Sequence, residues 1–175
     1  MSRFYGEVMQ AGYLVEALEP AIAYWTKSLG IGPFFVMPRP EFIWLRNGGE
    51  DVDDTAIISQ VALAHSGAMQ IELIVPGPAP STYRDFLAAG GRGLHHIGMA
   101  SDDFDAQRQA ALGAGLTVAT EGASQRTRFA YMQPAAEAPG PIVELIDMVP
   151  VMREIHAHVK TASLGWDGSD PVRHL

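Results

Sequence analysis

Residues 10–14 read Gln10-Ala11-Gly12-Tyr13-Leu14, and residues 95–99 read His95-His96-Ile97-Gly98-Met99. In both, a polar side chain is followed two residues later by glycine: Gln10 by Gly12, His96 by Gly98. A strand presents every second residue to one face, so each polar group shares a face with its glycine. Two further stretches match in the same way. Gln70-Ile71-Glu72-Leu73-Ile74 and Ile142-Val143-Glu144-Leu145-Ile146 each set one glutamate in an otherwise apolar strand. Gln10 and Glu72 lie farther apart than His96 and Glu144, and the excess falls where the first half carries the segment Pro38–Asp54. The chain therefore reads as an internal repeat of two units.

The elements around these stretches repeat as well. Val8–Val15 reads as a strand. Ile22, Ala23, Trp25 and Leu29 have helical spacing over Glu19–Leu29, with Gly30 placed to cap the helix. Ile31–Met37 and Glu41–Arg46 are β-like, and Asn47–Asp54 is a Gly- and Asp-rich loop. Thr55–Ala64 and Ala68–Val75 are strands joined by a turn at His65–Gly67. Pro76–Ser81 is a linker, with prolines at 76, 78 and 80, and Thr82–Ala89 a short helix. The order then recurs: strand Leu94–Ala100, helix Asp103–Leu112 capped by Ser101 or Asp102, and strands Leu116–Thr120, Arg126–Gln133 and Pro141–Met148. Val151–Lys160 closes as a helix, and the tail around Gly165–Gly168 is loop-like. The expectation is an α+β chain of two βαβββ modules, 6–75 and 94–148, within one domain over 6–148. The segment 76–93 joins the modules, and 149–175 is a C-terminal helix and tail.

Composition narrows the chemistry. The 175 residues include no cysteine, which excludes thiolate nucleophiles, iron–sulfur clusters and Cys-type zinc sites. Any metal must be held by His, Asp, Glu, Gln or water. With 12 basic against 20 acidic residues the formal charge is −8, which disfavours nucleic acid as a partner. The opening residues Met1–Gly6 lack the apolar stretch of a signal peptide. No segment approaches the roughly 20 apolar residues of a membrane span. The expectation is a cytoplasmic, soluble protein acting on a small molecule.

The four matched stretches, with Tyr24–Phe34 as a first helix and turn, make the sequence resemble the vicinal-oxygen-chelate superfamily over Gly6–Met148. Its members include glyoxalase I, methylmalonyl-CoA epimerase, extradiol dioxygenases and bleomycin-resistance proteins. The resemblance implies that the curved sheets of the two modules form an open barrel, with Gln10, Glu72, His96 and Glu144 as ligands of one divalent ion. Two carboxylates, one imidazole and one amide oxygen suit zinc, nickel, cobalt, manganese or magnesium. A dication also offsets the cost of burying two glutamates in apolar strands.

The resemblance implies a metalloenzyme of the lyase or isomerase class, moving a proton next to a metal-bound carbonyl of a 2-oxo or acyl thioester substrate. Glu144 is then the principal base and Glu72 its partner, with Glu41 as a fallback acceptor. The ligand set resembles some eukaryotic-type glyoxalase I enzymes, whereas Ser81–Ile97 looks more like the epimerases. Extradiol dioxygenases use two histidines, one of which Gln10 replaces, and this argues against oxygen chemistry. The alternative is a metal-free protein that binds or sequesters a small molecule, as in the bleomycin-resistance branch. Members of the superfamily are commonly dimers, which implies a homodimer.

Other residues have plainer readings. Glu72 and Glu144 could instead pair with a buried arginine such as Arg128. His95, as the strand neighbour of His96, is expected to face the other way. Trp25 and Trp44 read as packing residues. His65, His156, His158 and His174 read as solvated groups in a turn, a helix and the tail. The acidic run Glu50–Asp54 lacks the glycine and glutamate spacing of a calcium loop.

Overall fold

The computed structural model describes residues 2, 4–53, 55–138 and 140–175. Met1 and Arg3 of the N-terminal segment and Asp54 of the acidic loop lie outside them.

The first module comprises β1 (Val8–Leu14), α1 (Leu18–Leu29), β2 (Phe34–Val36), β3 (Phe42–Asn47), β4 (Glu50–Asp51), β5 (Ile58–Ser66) and β6 (Met69–Pro76). After the linker helix α2 (Thr82–Ala88), the second module adds β7 (Gly93–Ser101), α3 (Phe104–Gly113), β8 (Thr117–Ser124), β9 (Arg128–Gln133) and β10 (Ile142–Asp147). Helix α4 (Pro150–Ser163) and β11 (Val172–His174) close the chain. Gly30 caps α1 in the left-handed conformation, as its position predicts.

The strands form one mixed sheet in the order β11-β2-β5-β6-β1-β7-β10-β9-β8-β3-β4. Within it β2-β5-β6-β1 and β8-β9-β10-β7 are the same motif twice, joined by antiparallel pairing of β1 with β7. The sheet stays open, ending on β11 and β4. It is curved, because residues of β5, β6, β9 and β10 line a common cavity.

Strand parity divides the core. On the concave face Leu14, Val61, Leu63, Ile74, Phe129 and Tyr131 cluster with Val159 of α4. On the convex face Ala62, Ala64, Ile71 and Leu73 pack with Leu18 and Ile22 of α1, while Ala130, Met132 and Leu145 pack with Phe104 and Ala111 of α3. In each Glu-Leu-Ile stretch the leucine therefore anchors a helix outside and the glutamate points into the cup.

Several boundaries differ from the sequence expectation for identifiable reasons. Asp103, not Ser101 or Asp102, caps α3, because its carboxylate accepts from the Ala106 N–H at 3.1 Å. The turn after β5 sits at Gly67 (φ +61°), so His65 lies within the strand. The acidic loop contains a hairpin: Gly48 and Gly49, both at positive φ, turn β3 into β4 as a two-residue loop requires. The resulting hairpin does not stay with its own module, since β3 pairs antiparallel with β8 of the other. The tail is not all loop either, because β11 adds parallel to β2.

Candidate metal centre

Two cross-strand rows set the site. In one, Gly12 of β1 has Glu72 of β6 and His96 of β7 as its Cα partners. In the other, Gly98 of β7 lies between Gln10 of β1 and Glu144 of β10. The glycines are what let the polar side chains converge. A Cβ on Gly12 would sit 1.9 Å from the His96 ring, and one on Gly98 would sit 2.7 Å from Gln10 Oε1. Each polar side chain thus lies across the other strand's glycine, and this is why the two-residue offset recurs in the sequence.

Glu72, His96 and Glu144 come together, each with one ligand atom within 4.8 Å of the others. His96 Nε2 is 3.2 Å from Glu144 Oε2 and 3.4 Å from Glu72 Oε2. His96 Nε2, Glu72 Oε2 and Gln10 Oε1 are all buried without a hydrogen-bond partner. Buried polar atoms are rarely left unpaired. The Glu72, His96 and Glu144 atoms, all electron-pair donors in their ligating forms, fit a divalent cation. Gln10 already uses its Nε2, donating to Gln70 Oε1 at 2.8 Å, which leaves its Oε1 buried and unpaired beside Gly98.

The electrostatics are those of a site built for positive charge. Burial pulls the His96 imidazole down, but the two carboxylates outweigh it and push its pKa up to about 9. Burial and the nearby Glu144 raise Glu72, and His96 opposes them. Tyr83 and Tyr131 share a 2.7 Å hydroxyl–hydroxyl hydrogen bond above the site. Burial first, then Glu144 and other neighbours, hold both phenols well above the usual range.

His95 does not face away from His96. The partners of Gly12 and Tyr13 are His96 and Leu94, so His95 is the extra residue of a β-bulge and falls out of alternation. Met9, just before Gln10, sits in the matching irregularity on β1. His95 is buried among Tyr83, Phe86 and Tyr131, with its Nδ1 3.1 Å from His96 Nδ1. Its Nε2 is 3.4 Å from both the carbonyl oxygen and the hydroxyl of Thr82. Burial, then His96, pull its pKa down to about 3, so it is neutral. One arrangement satisfies the chain: His95 Nε2–H donates to Thr82, and His95 Nδ1 accepts from His96 Nδ1–H. That arrangement leaves His96 Nε2 directed at Glu72 and Glu144, with a lone pair available once deprotonated.

The other sequence readings divide. Arg128 does not pair with the glutamates; it bonds Asp147 at 2.9 Å and Asp105 at 3.1 Å and lies over the Phe104 ring. Glu41 accepts from Gln125 at 3.0 Å and is not part of the cluster. Trp25 packs against Tyr13, but Trp44 is 37% exposed beside Arg46 rather than buried in the core. His65 and His156 are not freely solvated. Helix α4 lies over β5 and holds their rings edge to face, 4.5 Å apart, with Gln70 between them and Gln10. Burial, then His156, pull His65 down to about 4. His158 packs edge-on against Phe35, and His174 lies on β11.

The cavity above the cluster encloses about 130 Å³, and its walls include Met37, Phe42, Val61, Phe129, Met152 and Ile155. Tyr83, Tyr131, Gln70 and Arg126 also face it, and the sequence reading assigned none of them to the site. Parity was the available signal for two: Gln70 is two residues from Glu72, and Tyr131 is the antiparallel partner of Glu144.

This fold and this cluster define a vicinal-oxygen-chelate protein. Residues 9–131 match the family described as the Glyoxalase/Bleomycin resistance protein/Dioxygenase superfamily, and the chain belongs to it. No curated protein matches the chain in sequence. Its fold is similar to that of methylmalonyl-CoA epimerase from Mycobacterium tuberculosis, at 20% identity and a TM-score of 0.61 over 88% of this chain and 95% of that one. A hypothetical protein from Bacillus halodurans C-125 gives 18% and 0.59 over 82% and 94%. A variant of Streptomyces coelicolor methylmalonyl-CoA epimerase, in complex with 2-nitronate-propionyl-CoA, gives 18% and 0.57 over 83% and 96%. No helix among the described residues is long and apolar enough to cross a membrane.

Proposed function

We propose that this chain is a metal-dependent isomerase or lyase that moves a proton on the carbon next to a substrate carbonyl. The observation that carries the reading is the buried Glu72–His96–Glu144 cluster with its unpaired donor atoms at the base of a largely apolar cavity. Gln10, Glu72, His96 and Glu144 would hold the cation. When bound, a divalent cation supplies Lewis-acid stabilisation of the negative charge that an enolate places on the carbonyl oxygen.

The chain's own residues supply the rest. Glu144 and Glu72 come from different modules and approach the centre from opposite sides. Glu144 takes the proton and Glu72 returns it, to the same carbon in an epimerase or to its neighbour in a glyoxalase-type isomerase. No cysteine is available for this task, and His96 is held as a ligand. The apolar walls keep water from the carbanion. The fold shared with methylmalonyl-CoA epimerases makes acyl thioesters one substrate class to test, and 2-oxoaldehyde hemithioacetals the other.

Metal-loaded protein should exchange the substrate's α-proton with solvent deuterium. Glu144→Gln should keep most of the metal and lose exchange by about 10²–10⁴-fold. Elemental analysis should find one stoichiometric divalent ion in the wild type and little in His96→Ala. A wild type that retains none under any loading condition would instead support a binding or sequestering protein. Near-normal exchange by Glu144→Gln would transfer the base role to Glu72.

A further inference from the structure

We propose that Arg126 is an anion anchor, and that the substrate carries a carboxylate separated from its reacting carbonyl by an apolar stretch. The inference rests on the metal-site reading above and adds the substrate's far end. Among the described residues, Arg126 is the one arginine or lysine lining the cavity. Among those residues, too, no carboxylate lies within ion-pair reach of its guanidinium, and the side chain makes no hydrogen bond. The contrast is with Arg108, Arg128 and Arg153, each of which is paired with an aspartate or glutamate. In a chain with 20 acidic and 12 basic residues, an unpaired arginine facing an apolar cavity is unusual. The nearby carboxylate Glu41 is engaged by Gln125.

The segment that carries Arg126 is fixed. Ser124 Oγ accepts from the N–H groups of Arg126 and Thr127 at 3.1 and 3.2 Å, and the Ser124 N–H donates to the Thr127 carbonyl at 2.8 Å. The Thr127 hydroxyl donates to the Asp147 carbonyl at 2.7 Å. The turn satisfies its own polar groups and leaves the guanidinium donors for a ligand. Arg126 lies five residues before Tyr131, the Cα partner of Glu144. Only Arg128 to Tyr131 of that stretch is strand, roughly 10 Å, part of which the arginine side chain spans. Phe129 and Phe42 line the cavity with it, so an apolar linker suits the space between the anion and the glutamates. A guanidinium binds a carboxylate in a two-pronged geometry that a neutral ester cannot reproduce.

The test uses suberic monohydroxamic acid and its methyl ester, titrated calorimetrically into zinc-loaded full-length protein. The hydroxamate stands in for the reacting vicinal oxygens, and the pair differs in the distal charge and one methyl group. Wild type should bind the acid at least about tenfold more tightly than the ester. Arg126→Gln should abolish that preference without weakening the ester, and Arg126→Lys should keep part of it. Equal binding of acid and ester, or a preference that survives Arg126→Gln, overturns the proposal while leaving the metal site standing. If neither hydroxamate binds, the metal reading fails, and metal-free protein is titrated with octanoate and octanol. An Arg126-dependent preference for octanoate then still supports the anchor, and its absence overturns it.

Discussion

Gly12 and His95 show how much of the site rests on groups that would never touch a substrate. At Gly12 a single methyl group would overlap the imidazole of His96, so the ring must leave its place. Gly12→Ala should therefore cost stability of about 1–3 kcal/mol and remove metal binding. Gly98→Ala should be milder, because its methyl meets Gln10 Oε1 at 2.7 Å and Gln10 Cβ at 2.8 Å, a smaller overlap than the 1.9 Å at Gly12, although Cβ cannot rotate away. A metal titration alongside a thermal melt separates the two. His95→Phe should keep the aromatic packing against Tyr83 and Phe86 but lose the acceptor for His96 Nδ1–H. Metal affinity should fall roughly 10–100-fold, with His95→Gln restoring part of it. Unchanged affinity in His95→Phe would remove the tautomer role. At this scale the Gln-x-Gly and His-x-Gly repeats were legible because the glycine is a steric consequence of its neighbour's ligand. His95 was misread because a bulge breaks the alternation that the reading assumed, and nothing local in the sequence marks it.

Among the elements, α4 does most to complete the cavity. It places Met152, Ile155 and His156 on the wall and seals Val159 in the concave core. The His65–His156 pair lies at its junction with β5, and burial holds both imidazoles below their ordinary pKa. The sign follows directly. A histidine whose folded pKa is depressed stabilises the protein above its unfolded value near 6.5, and that contribution is lost as pH falls toward about 4. Melting temperature should decline over this window, and the decline should be shallower in His65→Gln. A decline of equal steepness in His65→Gln would mean that the pair does not control the docking of α4. The helix itself was legible over Val151–Lys160. Its placement was not, because packing across the cup depends on contacts far apart in sequence. The same limit hid the crossing of β3 to β8: a hairpin's turn residues fix its own two strands and say nothing about which sheet edge receives it.

For the molecule as a whole, the duplicated module is a way to bring charges of one sign to a shared centre. Each half contributes one glutamate from its last strand, and the antiparallel β1–β7 seam brings the halves together. That much was readable in the sequence, because both copies keep their spacing within strands. Without a cation, the centre is held by one proton. His96 stays an imidazolium up to about pH 9 because Glu72 and Glu144 flank it. A histidine whose folded pKa is raised contributes stability that is fully present below its unfolded pKa and lost as pH rises through the folded value. Chelator-treated protein should therefore lose stability as pH rises from about 6.5 to about 9. A divalent ion removes that slope, because it replaces the proton and must displace it to bind. Apparent metal affinity should rise by about tenfold per pH unit across the same window, and stabilisation by a fixed metal concentration should rise with it. Melting curves with zinc and with chelator should accordingly diverge as pH increases, and His96→Ala should abolish the divergence. Parallel curves for the two wild-type samples would show that Glu72, His96 and Glu144 hold a proton and nothing more.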